Sequence, residues 1–182
     1  ATMHRGANYG SALQTYALSQ AIEHLGHEAL VLDYVPQRIQ FRNVFLALLK
    51  KIFSLSTSFR ERYTSFRGLL KLIADTWTYG RFFRRELSMT RSYYSVEEIE
   101  MANLKADVYM TGSDQVWNST HNQGIDRVFF LDFLSEEAKR VAYAASFGKT
   151  ELEEWEKDET EQLLKRYTAI SVRESSALKI LE

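Results

Sequence analysis

The 182-residue chain has no cysteine, one proline (Pro36) and no long apolar run. Without cysteine there is neither a disulfide framework nor a thiolate metal site, and a reducing compartment fits. The longest apolar run, residues 44–49, stops at Lys50-Lys51, far short of the roughly 20 residues needed to cross a bilayer. The first residues show no basic region followed by an apolar stretch, so no signal peptide is expected and the cytoplasm is the expected compartment. No His, Asp or Glu group has metal-ligand spacing, so no metal is expected. No recognised nucleic-acid-binding motif is present either, which leaves nucleic acid outside the expected partners.

Charge is scarce in sum but uneven in place. The formal net charge is −1, yet residues 36–91 carry twelve Lys/Arg against three acids, Glu61, Asp75 and Glu86. The remainder is correspondingly acidic.

Hydrophobic periodicity divides the chain into three stretches. In the first, Leu13, Ala17, Leu18, Ala21, Ile22 and Leu25 share one face at helical spacing from residue 11 to 25. Gly26 is placed as a helix-ending C′ residue. Residues 29–34 then read as a strand, and residues 1–5 read as the carboxyl end of a preceding one. From 37 to 91 the period is helical and rich in aromatics, with a break at Ser54-Leu-Ser-Thr-Ser. This is a basic, aromatic excursion inserted into the α/β pattern. Strand and helix alternate again afterwards. Ser95 and Glu98 form a capping box for a helix to residue 103, and strands are expected at 107–110, 140–146 and 169–173. Helices are expected at 151–167, with Leu152, Trp155, Leu163, Leu164 and Tyr167 turned inward, and at 174–181. Such alternation predicts an α/β domain with a Rossmann-like, mostly parallel sheet covered by helices on both faces, the whole chain forming one domain.

In an open parallel sheet, ligands sit at the carboxyl ends of the strands. Four polar clusters fall there: Asn8-Tyr9-Gly10, residues 112–118 (Gly-Ser-Asp-Gln-Val-Trp-Asn), Ser146-Phe-Gly and Ser171-Val-Arg-Glu174. Ser113 and Asp114 after Gly112 suit a turn as well as a ligand, whereas turn chemistry requires neither Gln115 nor Asn118. The small residues around Gly10 suit an anion at a helix N-terminus or simply a tight turn. Arg173 can offer a bidentate fork to a carboxylate or phosphate, or pair with Glu174. His24 and His27 flank a helix end, where they can interact with its terminal carbonyls. His4 and His121 are weaker candidates for acid chemistry. The basic helices at 37–91 have three readings: packing on their own domain, a cradle for an anionic acceptor, or a face lying on anionic lipid.

These clusters, in this order, resemble the amino-terminal half of the polysaccharide pyruvyl transferase family. The matching stretches begin with His4-Arg-Gly-Ala-Asn-Tyr-Gly-Ser-Ala-Leu-Gln-Thr-Tyr-Ala-Leu and His27-Glu-Ala-Leu-Val-Leu-Asp-Tyr. They continue with Thr111-Gly-Ser-Asp-Gln-Val-Trp-Asn, Phe129-Phe-Leu-Asp-Phe, Tyr143-Ala-Ala-Ser-Phe-Gly and Ile170-Ser-Val-Arg-Glu. They are spread along nearly the whole chain apart from the 37–91 excursion, and the run from Gly112 to Asn118 is the most specific.

The resemblance implies one half of a two-domain architecture like that of GT-B glycosyltransferases. It further implies transfer of the enolpyruvyl unit of phosphoenolpyruvate, as donor substrate and without a cofactor, onto sugar hydroxyls of a cell-surface polysaccharide or its lipid-linked precursor. The product is a pyruvate ketal, with phosphate released. Carried over, Arg173 matches the arginine of the family's Val-Arg-Glu/Asp strand end and becomes the expected donor-anion contact. Asn8 and Gly10 match its first turn, and Ser113, Asp114, Gln115 and Asn118 line the expected cleft. A second domain with an Arg-Leu-His segment, expected to supply the general acid, does not appear in these 182 residues. The chain alone is therefore expected not to turn over, and its catalytic residue stays unassigned. The implied location is cytoplasmic, at the inner face of the plasma membrane if the excursion meets lipid. Two rival readings stand beside this one: a GT-B-type glycosyltransferase using a nucleotide sugar, and a non-catalytic module binding anionic glycan or membrane.

Overall fold

Short β-rich runs set the framework. In the computed structural model, which describes residues 1–5, 8–54 and 56–181, Tyr109–Gly112 (β1), Arg140–Ala145 (β2) and Ala169–Val172 (β3) pair in parallel in the order β1-β2-β3. Tyr109 lies opposite Arg140 and Val141 opposite Ala169. Parallel pairing forces each connection to cross over, so all three strands deliver their outgoing loops at one edge. Gly6 and Ala7 of the first loop, and Leu55 in the break at 54–58, lie outside the described residues.

The framework extends beyond β1. The Ala1 amino group donates to the Met110 carbonyl and the Gly112 N–H donates to the Ala1 carbonyl at 3.2 Å, which sets residue 1 in parallel against the end of β1. On the far side, the His4 and Arg5 side chains reach Asp33. Residues 31–35 then run parallel to 88–93 through Val31 N–H to Ser88 O (2.9 Å) and Tyr93 N–H to Asp33 O (2.8 Å). Around the three-stranded parallel sheet, residue 1 pairs with the end of β1 and residues 31–35 pair with 88–93, an arrangement consistent with a Rossmann-like α/β fold. Residues 29–34, expected as a strand, pair through isolated bridges at Val31 and Tyr34. The extended stretch at 88–93 corrects the expectation of helix throughout 37–91, because six residues of strand period are easily masked within a long helical one.

Helices flank this framework. Tyr9–His24 (α1) starts two residues before the expected position because the Asn8 side chain caps it by accepting from Gly10 N. It buries Ala12, Thr15 and Ser19, while Leu13 and Leu25 are exposed, the reverse of the expected apolar face. Ala12 packs against Val31, Phe83 and Leu87, and these bulky neighbours admit only a small side chain. Phe41–Phe53 (α2) and Phe59–Glu86 (α3) form the expected helical hairpin, with a capping box between Ser58 and Glu61. Val96–Ala102 (α4) is capped by Ser95, and Glu98 reaches back to the Tyr94 N–H rather than to Ser95.

A one-turn helix, Ser119–Asn122 (α5), follows β1, and Glu154–Leu164 (α6) and Ser175–Leu181 (α7) complete the set. In α6 the inward side chains are Glu156, Thr160 and Leu163, and Trp155 points to solvent. That corrects its expected inward placement, for Lys149 draws Glu156 inward instead. The main core gathers Val116, Trp117, Phe129, Phe130, Phe147 and Leu163. Trp117 packs against Phe147, Phe130 and Tyr167 at centroid distances of 5.1, 5.6 and 5.8 Å. No helix among the described residues is long and apolar enough to cross a membrane.

Arg140 opens β2 with no exposed surface. Its guanidinium donates to the carbonyls of Leu131 (3.2 Å), Leu134 (2.7 Å), Ser135 (2.9 Å) and Ala138 (3.2 Å), fastening the 131–138 turns to the sheet. Arg140→Met keeps much of the volume and removes all four bonds. It should cost about 3 kcal/mol and lower the thermal midpoint by roughly 6–12 °C, read by circular dichroism.

Candidate functional site

The site begins at a position only glycine can fill. Gly112, the last residue of β1, has φ +119°, and a Cβ there would lie 2.0 Å from the Tyr143 carbonyl oxygen. That close approach lets the chain leave β1 hard against β2. Ser146 N–H then donates to Asp114 O and Trp117 N–H to Ser146 O, both at 3.1 Å, so the loops after β1 and β2 are stitched together. Arg173 N–H donates to Ala145 O at 3.0 Å and brings the end of β3 alongside.

Side chains fill the space these bonds define. Asp114 accepts from Ser11 Oγ (2.9 Å) and from the Gln115 N–H (2.8 Å), tying the loop to α1. Ser113 Oγ donates to Gln14 Oε1 at 2.7 Å. Ser146, wholly buried, donates to Glu174 Oε1 at 2.6 Å and accepts from the Gly148 N–H at 3.0 Å, which fixes the Glu174 carboxylate. Arg173 lies between two carboxylates, with Nε 3.4 Å from Glu174 Oε2 and Nη1 4.0 Å from Asp114 Oδ1. Both contacts are loose, and its side chain is 45% exposed. It faces an open cleft of about 290 Å³ lined also by Gln115, Ser146, Lys149, Thr150 and Ser176.

The cleft's other cation is already committed. Lys149 Nζ donates to Ser119 Oγ (2.7 Å) and to buried Glu156 Oε1 (2.6 Å). Burial pushes the Glu156 carboxyl up, but hydrogen bonds from Lys149, Ser119 and the Glu153 N–H outweigh it and hold the group below the usual glutamate range.

The expected site residues thus divide. Ser113, Asp114, Gln115 and Arg173 come together around the β1 and β3 ends. Asn118 is nearly buried, donates to Gln115 Oε1 (2.9 Å) and caps α5 by accepting from the His121 N–H (3.0 Å). Its amide backs the cleft through Gln115, and a Cβ on Gly148 would come within 2.3 Å of it. Asn8 and Gly10 form the exposed start of α1, joined to the cleft through Ser11 and Asp114. Ser146 and Glu174 fell within two of the polar clusters read from sequence but were not chosen as site residues, and Lys149, Thr150 and Ser176 were not noted at all. The signal for those three was position alone, since each follows β2 or β3 within a few residues.

A second polar cluster went unrecognised. Asp33, 4% exposed, accepts from His4 Nε2 (3.0 Å), Arg5 Nε (2.6 Å) and Ser92 Oγ (2.5 Å), with a further bond from Arg5 Nη2. Burial raises its pKa, but these donors dominate and leave the carboxyl well below the usual range. His4 is buried with Nδ1 3.2 Å from the Thr2 carbonyl, so it belongs to this cluster and not to the cleft. In dinucleotide-binding Rossmann folds an acidic residue near this place takes a ribose hydroxyl. Here its lone pairs are already occupied. The cluster borders a separate cavity of about 350 Å³, with Arg84 and Arg91 among its lining residues.

The family model for polysaccharide pyruvyl transferase matches residues 8–182. This chain belongs to the polysaccharide pyruvyl transferase family. No curated protein and no solved structure matches it. Family membership indicates transfer chemistry with a saccharide acceptor, and the cleft's polar rim suits hydroxyl-rich ligands. The match includes both the 112–118 loop and the β3 end that carries Arg173.

Asp33 gives the family member a defined acid sensitivity. A depressed folded-state pKa contributes stability that is complete above the ordinary aspartate value of 3.8 and is lost as pH falls through the lower folded-state value. Asp33→Asn should cost about 3 kcal/mol at neutral pH. The gap in urea midpoint between the two proteins should narrow once pH drops beneath that ordinary value.

Proposed function

We propose that the cleft at the carboxyl ends of β1–β3 takes part in moving the enolpyruvyl unit of phosphoenolpyruvate onto hydroxyls of a polysaccharide or its precursor. A proton adds to the donor's methylene carbon, and the neighbouring carbon becomes oxocarbenium-like. An acceptor hydroxyl attacks that carbon and gives up its proton, phosphate leaves with the electron pair of its C–O bond to regenerate an oxocarbenium-like carbon, and a second hydroxyl attacks it, loses its proton and closes the ketal. Catalysis then needs a cation for the donor's carboxylate or phosphate and groups that orient the attacking hydroxyls.

Arg173 carries this reading. Its guanidinium is half exposed, faces the cleft and is held only loosely by Glu174 and Asp114, so its donors remain available for a ligand anion. Asp114 and Glu174, fixed by Ser11 and Ser146, are suited to accept hydrogen bonds from acceptor hydroxyls, and Gln115 adds an amide.

Isothermal titration with phosphoenolpyruvate should show saturable binding, weakened about tenfold or more in Arg173→Ala, consistent with loss of one charge-assisted hydrogen bond. Saturable binding of a uridine nucleotide, with none of phosphoenolpyruvate, would overturn the assignment in favour of glycosyl transfer.

A further inference from the structure

Helix α3 has two apolar faces, and only one is used. Its inner face meets α2 and the 31–35 segment through Gly68 and Phe83. On the outer face, Phe59, Tyr63, Phe66, Leu70, Ile73 and Trp77 alternate in steps of four and three. At about 100° per residue they fall within roughly an 80° arc, and each is about half exposed or more, Phe59 at 87% and Trp77 at 65%. A stripe of six bulky apolar side chains along five turns far exceeds the scattered apolar exposure of ordinary surfaces.

Charge around the stripe distinguishes its occupant. Arg60, Arg67 and Arg85 flank one side at about 80–100° from its centre, and Arg81 and Arg84 continue it beyond Trp77. Arg67 and Arg81 lie over the Tyr63 and Trp77 rings at 5.9 and 5.7 Å. The three acids of α3, Glu61, Asp75 and Glu86, lie about 160–200° away and are already engaged by Ser58, Lys71 and Arg85. Among the described residues, Arg60, Arg67, Arg81 and Arg84 have no carboxylate partner. A second copy packed on this heptad-like stripe would set these arginines against their equivalents, a like-charge arrangement that disfavours self-association. An anionic bilayer meets both features, accepting the aromatic and aliphatic side chains at its interface while its headgroups balance the guanidinium groups.

We infer that the outer face of α3 docks the protein on an anionic lipid surface, lying in the interface plane rather than crossing it. The stripe is separate from the β1–β3 cleft, so this docking stands apart from any assignment of the reaction. A surface-bound enzyme would meet an acceptor carried on a membrane lipid in two dimensions.

Co-sedimentation of the 182-residue chain with phosphatidylcholine vesicles, with and without phosphatidylglycerol, tests it. Retention is expected on the anionic vesicles alone and should fall as salt is raised. Replacing Arg67 and Arg81 by Gln should weaken it by about 25-fold, roughly fivefold for each cation removed from the surface. Phe66→Ser with Ile73→Ser should abolish it while leaving the far-ultraviolet circular dichroism unchanged, because both side chains are on the solvent face. Anionic vesicles should also shift tryptophan emission to the blue, and Trp77→Phe should remove that shift. No retention on anionic vesicles, equal retention on neutral ones, or a wild-type dimer in sedimentation velocity that the serine variant converts to monomer would each overturn the proposal.

Discussion

Two main-chain hydrogen bonds, from Ser146 to Asp114 and from Trp117 to Ser146, hold the protein's polar edge together. They join the loop after β1 to the loop after β2, and they are geometrically open only because Gly112 lets the two strands approach without a side chain between them. Trp117 then falls into the main core beside Phe130, Phe147 and Tyr167. The same loop therefore supplies the core's largest side chain and the cleft's Asp114 and Gln115. A loop anchored by its own buried tryptophan positions its polar groups more firmly than a loop lying free on the surface.

Three buried charged groups elsewhere are closely partnered. Asp33 is surrounded by His4, Arg5 and Ser92, Arg140 by four carbonyls, and Glu156 by Lys149, Ser119 and a backbone N–H. Each arrangement recovers the cost of desolvation locally and leaves little capacity for a ligand. Arg173 departs from that pattern with long contacts, half exposure and an open cleft. The contrast is what separates a functional arginine from a structural one here, since both Arg140 and Arg173 stand at strand ends.

The helical hairpin follows a different logic. Its α2 helix has no buried residue, and α3 buries only Ser65 and Phe83, so its stability rests on one face while the opposite one stays apolar and cationic. Helical periodicity reveals such a segment readily. It does not reveal which of two apolar stripes meets the domain, because both have a spacing of three and four.

Local chemistry by itself determined a good deal. The parallel α/β alternation after residue 95, the helical hairpin and its break, the first helix over 11–25 with its Gly26 stop and the polar loops at the strand ends were all legible, because period, caps and turn residues act over a few neighbours. The 112–118 and 170–174 motifs were enough to place the chain in its family. Tertiary structure decided what depends on distant partners. It turned Ala12, Thr15 and Ser19 of α1 inward where Phe83 left little room, and drew residues 88–93 out of an otherwise helical stretch to pair with 31–35. It also committed Asn118 to a cap and His4 to Asp33 while leaving Arg173 open to the cleft. A side chain's type states which bonds it can make. Only packing between segments far apart in sequence determines which of those bonds are already made.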